Sequence, residues 1–278
     1  MKREKLFLAA ILILAIGLGL SWSVFLKTKE SMDKKVQRAI DYMEIQNVIA
    51  KHTYYYAAQK QWEELESVWA KKRDDISYGH NQGIFMGRES VYNYYGQTNE
   101  DRRKEYLEMI SKIYPEVENA EENLGVGDLV IHTFTTPDIQ IAEDGQTAQG
   151  VWVSIGLSAR VQPDGKPQYG WPWEKFGVDF IKEDGEWKIW HLQIYTEKVF
   201  MFTDFGSGGP GGEPRPAGAP GAGQPPQGEG PPQGMKPVEF DIDVQMYEQY
   251  SPTKVPTLEP RLPKPYKTWD DTTPYIAK

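Results

Sequence analysis

The chain has 278 residues, a formal net charge of -9, no cysteine and 13% aromatic side chains. The acidic balance excludes a nucleic-acid surface, which needs a basic footprint. The lack of cysteine excludes disulfides, thiolate nucleophiles, Cys-based zinc sites and a lipidated cysteine anchor.

Lys2, Arg3 and Lys5 precede an uncharged stretch, residues 6–26. As a helix it would run roughly 32 Å, enough to span a bilayer core. Residues 1–30 are therefore expected to form an uncleaved, single-pass membrane anchor. The basic N-terminus would stay inside and the rest of the chain would lie on the extracytoplasmic side of the cell membrane. The alternative is a signal peptide, with the protein secreted, although Ser21-Trp22-Ser23 fits a cleavage site poorly.

Ser31-Met32-Asp33 can cap a helix over 34–56. Its apolar stripe, Ile45, Val48, Ile49, His52 and Tyr55 or Tyr56, puts His52 on the inward face. A second helix is expected over 62–70, with Leu65, Val68 and Trp69 inward. Short strands follow at 76–78 and 84–86, joined by a turn that leaves His80 exposed. Helices are expected over 87–95 and 101–114, then an acidic loop over 116–127.

Residues 129–199 alternate apolar and polar side chains, the period of strands with two distinct faces. Turns at Asp144-Gly145, Asp164-Gly165 and Asp184-Gly185 divide them into a four-stranded antiparallel meander, because Asp-Gly tolerates positive φ. Asp179 is expected on the outer face, solvated or at a dimer contact. Together, 31–204 read as one α+β domain. Residues 205–237 collapse to Gly, Pro and Gln and read as a disordered linker. Residues 238–278 carry six aromatics among prolines and read as an extended strap, lying along the domain or along a partner, or as a second free tail.

The order of elements, with Ile45-Gln46 to His52, Tyr54-Tyr55-Tyr56, Trp62-Glu63-Glu64-Leu65, Gly87-Arg88-Glu89-Ser90-Val91, the segment HTFTTPDI from His132, Gly150-Val151-Trp152 and FIKEDGEWKIWHLQIY, resembles the SnoaL-like branch of the nuclear transport factor 2-like superfamily. The resemblance covers about residues 33–202. It implies a cone, in which a curved antiparallel sheet wraps a long N-terminal helix and leaves an apolar pocket. It also implies a homodimer through the sheet face. Members include polyketide cyclases, scytalone dehydratase and bile acid 7α-dehydratase, and also non-catalytic modules, so the fold does not choose the activity.

The dehydratase relatives use a Tyr and an Asp at the end of the long helix, a His and an Asp on middle strands and an Arg on the last strand. Carried over by position, the Tyr falls on His52 or Thr53 and the Asp on Ala57 or Ala58. The strand His falls on Thr135, the strand Asp on Gly156 and the Arg on Gln193. None of the five is retained, so that particular mechanism is not expected.

What remains able to do chemistry is small. His52, Tyr55 and His132 are the candidate catalytic residues, since a neutral imidazole can donate or accept a proton near pH 7. Structural hydrogen bonding is the competing role for His52 and His132. Tyr56, Thr135, Trp152, Trp171, His191 and Gln193 are the candidate ligand-binding residues. His191, Gln193 and Tyr195 share one face of the last strand, either the pocket or the dimer face. No metal-ligand spacing and no phosphate or dinucleotide fingerprint occurs, so no metal or cofactor is expected. The expected function is a membrane-tethered domain that binds an apolar or aromatic small molecule, steroid-, phenol- or polyketide-like, and acts as a cofactor-independent lyase or isomerase if it is an enzyme. The alternative is a non-catalytic interaction module engaging an envelope protein.

Overall fold

A computed structural model describes residues 2–202, 239–243, 247, 249, 251–255 and 257–276, without the side chains of 2–13, 15 and 16. The expected linker lies outside the described residues. Two compact units are present, residues 1–44 and 45–278.

Helix α1 is unbroken over Lys2–Ala57. Ser31 and Asp33 lie inside it and do not begin a new helix: neither glycine nor proline interrupts residues 20–57, and Lys, Glu, Met and Gln are good helix formers. Among the described residues no helix is long and apolar enough to cross a membrane. Much of the stretch expected as an anchor, 6–26, lies outside the described side chains. From Leu14 onward its apolar residues Leu18, Leu20, Trp22, Val24 and Phe25 are exposed.

In the second unit, the end of α1 is closed by Gln59 at positive φ and by backbone bonds from Gln59 and Lys60 to Tyr56 and Tyr55. Helix α2 (Gln61–Ser67) follows, then strands β1 (Ser77–His80) and β2 (Gly83–Met86). The two helices expected over 87–114 form one helical run. Helix α3 (Arg88–Val91) continues through a π turn, Tyr92–Thr98, into α4 (Asn99–Ile113). The meander is as expected: β3 (Asp128–Ile141), β4 (Thr147–Val161), β5 (Pro167–Glu183) and β6 (Glu186–Phe202). Asp184 and Gly185 both take positive φ, as a two-residue hairpin turn requires.

The sheet has the order β3-β4-β5-β6-β1-β2-β7, with β1 parallel to β6. Strand β7 (Ile242–Asp243) comes from the C-terminal strap and pairs with β2. Three register shifts, at Thr135/Asp138, Trp173/Glu174 and Asp179/Phe180, bend the sheet, as bulges do. Its inner face packs on the last turns of α1 through Ile45, Ile49, Trp69, Tyr95, Trp152, Phe176, Phe180, Ile189 and Leu192, all fully or almost fully buried.

The strap lies along its own domain. Phe240 sits on Phe85, ring centres 5.0 Å apart, and Trp269 sits on Trp190 at 4.5 Å. The backbone amides of Glu143 and Asp144 donate to the carbonyls of Tyr266 and Lys267. Tyr247, Tyr266, Tyr275 and Ile276 are buried. The strap explains Asp179, which is fully buried rather than solvated. Its carboxylate accepts from Gln149 Nε2 at 2.7 Å and from the Tyr275 backbone N–H at 3.0 Å. Burial pushes its pKa up to about 7, against the pull of Arg261. The outer face around Gly177 and Asp179 is thus occupied from within the same chain.

Candidate functional site

The inner face holds two imidazole–carboxylate pairs. His52 reaches it because α1 presents 45, 48, 49 and 52 as one stripe. Its Nδ1 lies 2.7 Å from Glu64 Oε1. Glu64 comes from α2 and is fully buried, sharing a stripe with Leu65 and Val68. Trp69 Nε1–H also donates to Oε1 at 3.0 Å, and the Tyr95 hydroxyl donates to Oε2 at 2.7 Å. Trp69 can only donate, so the carboxylate serves as acceptor. An acceptor at this place holds the His52 proton on Nδ1 and fixes the tautomer. Burial and the nearby Glu64 push the Tyr95 phenol well up, so it keeps its proton.

The second pair forms between strands. His132 on β3 stands opposite Gly156, and its Nδ1 lies 3.3 Å from Ser154 Oγ and 3.3 Å from Glu174 Oε2. Glu174 Oε1 accepts from Thr196 Oγ1 at 3.0 Å, which anchors it to β6. Burial lowers the His132 pKa to about 4, helped by His52, so the ring is neutral near pH 7.

Tyr56 joins the pairs. Its ring centre is 6.1 Å from that of His52 and 5.4 Å from that of His132. Burial, then the charge of Glu174, raises its pKa, so it remains a neutral phenol. Phe176 lies 6.4 Å from both imidazoles, and Phe134 lies 5.7 Å from His52. Trp152 extends this wall, 6.4 Å from Phe134 and 5.9 Å from Phe180. The result is an aromatic interior with a few convergent polar groups.

The structure brings together His52, Tyr56, His132 and Trp152 among the expected residues. Tyr55 is half-buried. The others lie elsewhere. Thr135 is exposed, its hydroxyl bonded to the Val153 carbonyl at 3.1 Å. Trp171 is exposed and packs on Trp173 at 5.8 Å. His191 and Gln193 are on the outer face. A bulge leaves Trp190 without a cross-strand partner and sets His191 opposite Asp179. His191 Nδ1 meets Ser77 Oγ at 2.6 Å beneath the strap's Trp269, 6.1 Å away. Burial lowers its pKa to about 4.

His80 is also a correction. It is not an exposed loop residue but packs edge-on against Tyr78 at 4.8 Å, on the inner side of β1. A cavity of about 570 Å³ is lined by residues 72–75 and 181–184 and by none of the four histidines. Its charges are engaged: Lys72 pairs with Asp184, Arg73 with Asp75, and Glu183 accepts from the Lys71 and Lys72 amides. We therefore place the candidate site at the histidines. Among the described residues no cluster could hold a metal ion.

The SnoaL-like domain profile matches residues 37–193, more than half of the chain, and the chain belongs to this family. No curated protein sequence matches it. Solved structures to which the chain is similar include a putative scytalone dehydratase from Novosphingobium aromaticivorans, 13% identical, covering 58% of this chain and 87% of its own, with a TM-score of 0.42. The hexachlorocyclohexane dehydrochlorinase LinA-type3 from Novosphingobium barchaimii is 14% identical, covering 63% and 99%, with a TM-score of 0.43. ActVI-ORFA from Streptomyces coelicolor is 12% identical, covering 56% and 96%, with a TM-score of 0.38. Likeness at this level does not extend to a shared activity.

Proposed function

We propose that this SnoaL-like domain binds a flat apolar or aromatic molecule in its cone and acts on it as a cofactor-independent lyase or isomerase. The observation that carries this reading is the pair of carboxylate-backed imidazoles, His52–Glu64 and His132–Glu174, on either side of Tyr56. Neutral His132, backed by Glu174, is one proton-transfer group. His52, held in one tautomer by Glu64, is the second proton-transfer group, and Tyr56 is a donor to a developing oxyanion. Steroid-, phenol- and polyketide-like compounds fit the aromatic lining.

We further propose that the domain is tethered to the cell membrane by residues 6–26 and works on the extracytoplasmic side. The uncharged run in the sequence and the exposed apolar residues from Leu14 onward support this. The test of the enzymatic reading is a ligand panel read by thermal shift, with product analysis on each hit. His52→Ala and His132→Ala should each lower turnover by about 100-fold or more, in the range of general acid–base catalysis. Unchanged turnover in both would remove the reading.

A second reading, a non-catalytic interaction module, draws on the uncovered part of the outer face. There Leu129, Ile131, Val153, Trp171, Trp173 and Phe200 are exposed on adjoining strands. Loss of a co-purifying partner in Trp171→Ser/Trp173→Ser, with ligand binding unaffected, would favour it.

A further inference from the structure

His80 has a polar atom that nothing among the described residues uses. Its Nε2 is buried without a hydrogen-bond partner among them. Buried polar groups are nearly always paired, so an orphan nitrogen weakens the fold with no structural return. The surroundings are aromatic rather than polar. Tyr78 lies 4.8 Å away and Tyr94 6.1 Å, both edge-on. Tyr94 is in turn fixed by a stack on Phe85 at 3.9 Å. The backbone at His80 is pinned from behind, because Gln193 Nε2 donates to its carbonyl at 3.0 Å.

His80 is also continuous with the site described above. Tyr56 stacks on Tyr95 at 6.5 Å, Tyr95 meets Tyr78 at 5.0 Å, and Tyr78 meets His80. One aromatic wall therefore runs from the two imidazole–carboxylate pairs to this nitrogen. The ring is neutral, since burial and then the charge of Arg102 lower its pKa to about 4. A neutral imidazole presents at Nε2 either a donor or an acceptor, according to its tautomer. A hydroxyl satisfies both. Arg102, over the Tyr94 ring at 5.6 Å, disfavours a cationic ligand here.

We propose that His80 Nε2 is a ligand-recognising atom, which hydrogen-bonds the hydroxyl of a flat phenol- or enol-type ring. This rests on the cone-binding reading and names the polar group its ligand carries.

The test uses the full-length protein, with 2-naphthol and its methyl ether as probes, by calorimetry and thermal shift. The wild type should bind 2-naphthol about tenfold more tightly than the ether, the value of one added hydrogen bond. His80→Phe should abolish that preference. Because it removes an unpaired buried nitrogen, it should also raise the melting temperature of the free protein by about 2–4 °C. His80→Gln, which keeps a donor and an acceptor, should restore the preference at least in part, and His80→Leu, which removes both, takes the place of His80→Phe if that variant does not fold. A preference for 2-naphthol that persists in the apolar variant overturns the assignment and leaves cone binding standing. Failure of the wild type to bind either probe overturns the cone-binding reading and the assignment with it.

Discussion

Glu64 gathers three partners in the interior, and its replacement by leucine gives a sharp test. Three donors converge on the carboxylate: His52 Nδ1–H, Trp69 Nε1–H and the Tyr95 hydroxyl. Glu64 is fully buried, so water cannot replace it without a cavity. Leaving a buried donor unpaired costs about 1–3 kcal/mol, so three give about 3–9 kcal/mol. Removing a desolvated carboxylate returns part of that, which brings the expected loss to about 3–6 kcal/mol. A domain holds about 5–15 kcal/mol in all, so Glu64→Leu should be severely destabilised. Glu64→Gln can still accept from His52 and Trp69 while its amide donates to Tyr95, and should cost only about 1–2 kcal/mol. Urea unfolding followed by tryptophan fluorescence would measure both, read as a shift of the midpoint at constant slope. If Glu64→Leu stays within about 1 kcal/mol of the wild type, the convergence of three donors on one acceptor is wrong.

Deleting residues 238–278 should lower stability by about 5 kcal/mol, since Tyr247, Tyr266, Tyr275 and Ile276 bury large apolar surfaces; unchanged unfolding would show that the strap does not pack in cis. Gly177→Val should loosen the strap's end, because a Cβ there would stand 2.7 Å from the Tyr275 ring, and faster proteolysis within 261–276 is the readout. His132 and His191 have folded pKa values of about 4, below the unfolded value of about 6.5, so the unfolded chain binds more protons between them. Their contribution is whole above about pH 6.5 and is lost as pH falls toward 4, by up to about 3 kcal/mol each, and His132→Gln should flatten that part of a Tm–pH curve. Asp179 has the opposite sign. Its folded pKa is raised to about 7, so ionising it lowers stability as pH rises through 4 to 7, and Asp179→Asn should gain most, about 2 kcal/mol, above pH 7.

The meander was legible because its turns and alternation are local properties. Asp184 and Gly185 fall in the positive-φ positions that their side chains tolerate, and the flanking residues pair from Glu183↔Glu186 outward. His52 was legible because a helical stripe fixes its direction. The readings that changed depend on contacts distant in sequence. Glu64 looks like a surface residue in Trp62-Glu63-Glu64-Leu65, and only its place beside Leu65 and Val68 signals an inward carboxylate. His80 sits two residues after Tyr78 and shares its face, but the following Asn-Gln-Gly suggested an exposed turn. His191 and Gln193 sit beyond a bulge, and one extra residue in a strand changes which face later side chains occupy. Asp179 was placed on the correct face, but the strap that buries it arrives from about 100 residues downstream in sequence.

The central claim is that ligands enter the cone at the imidazole–carboxylate pairs. The chain has four histidines, three facing the interior and one, His191, beneath the strap on the outer face. NMR of 13C-labelled imidazoles, assigned by single substitution and titrated with 2-naphthol, therefore reads the site directly. The account predicts saturable shifts of His52 and His132 with His191 unmoved. Binding that shifts His191 while His52 and His132 stay in place would contradict it.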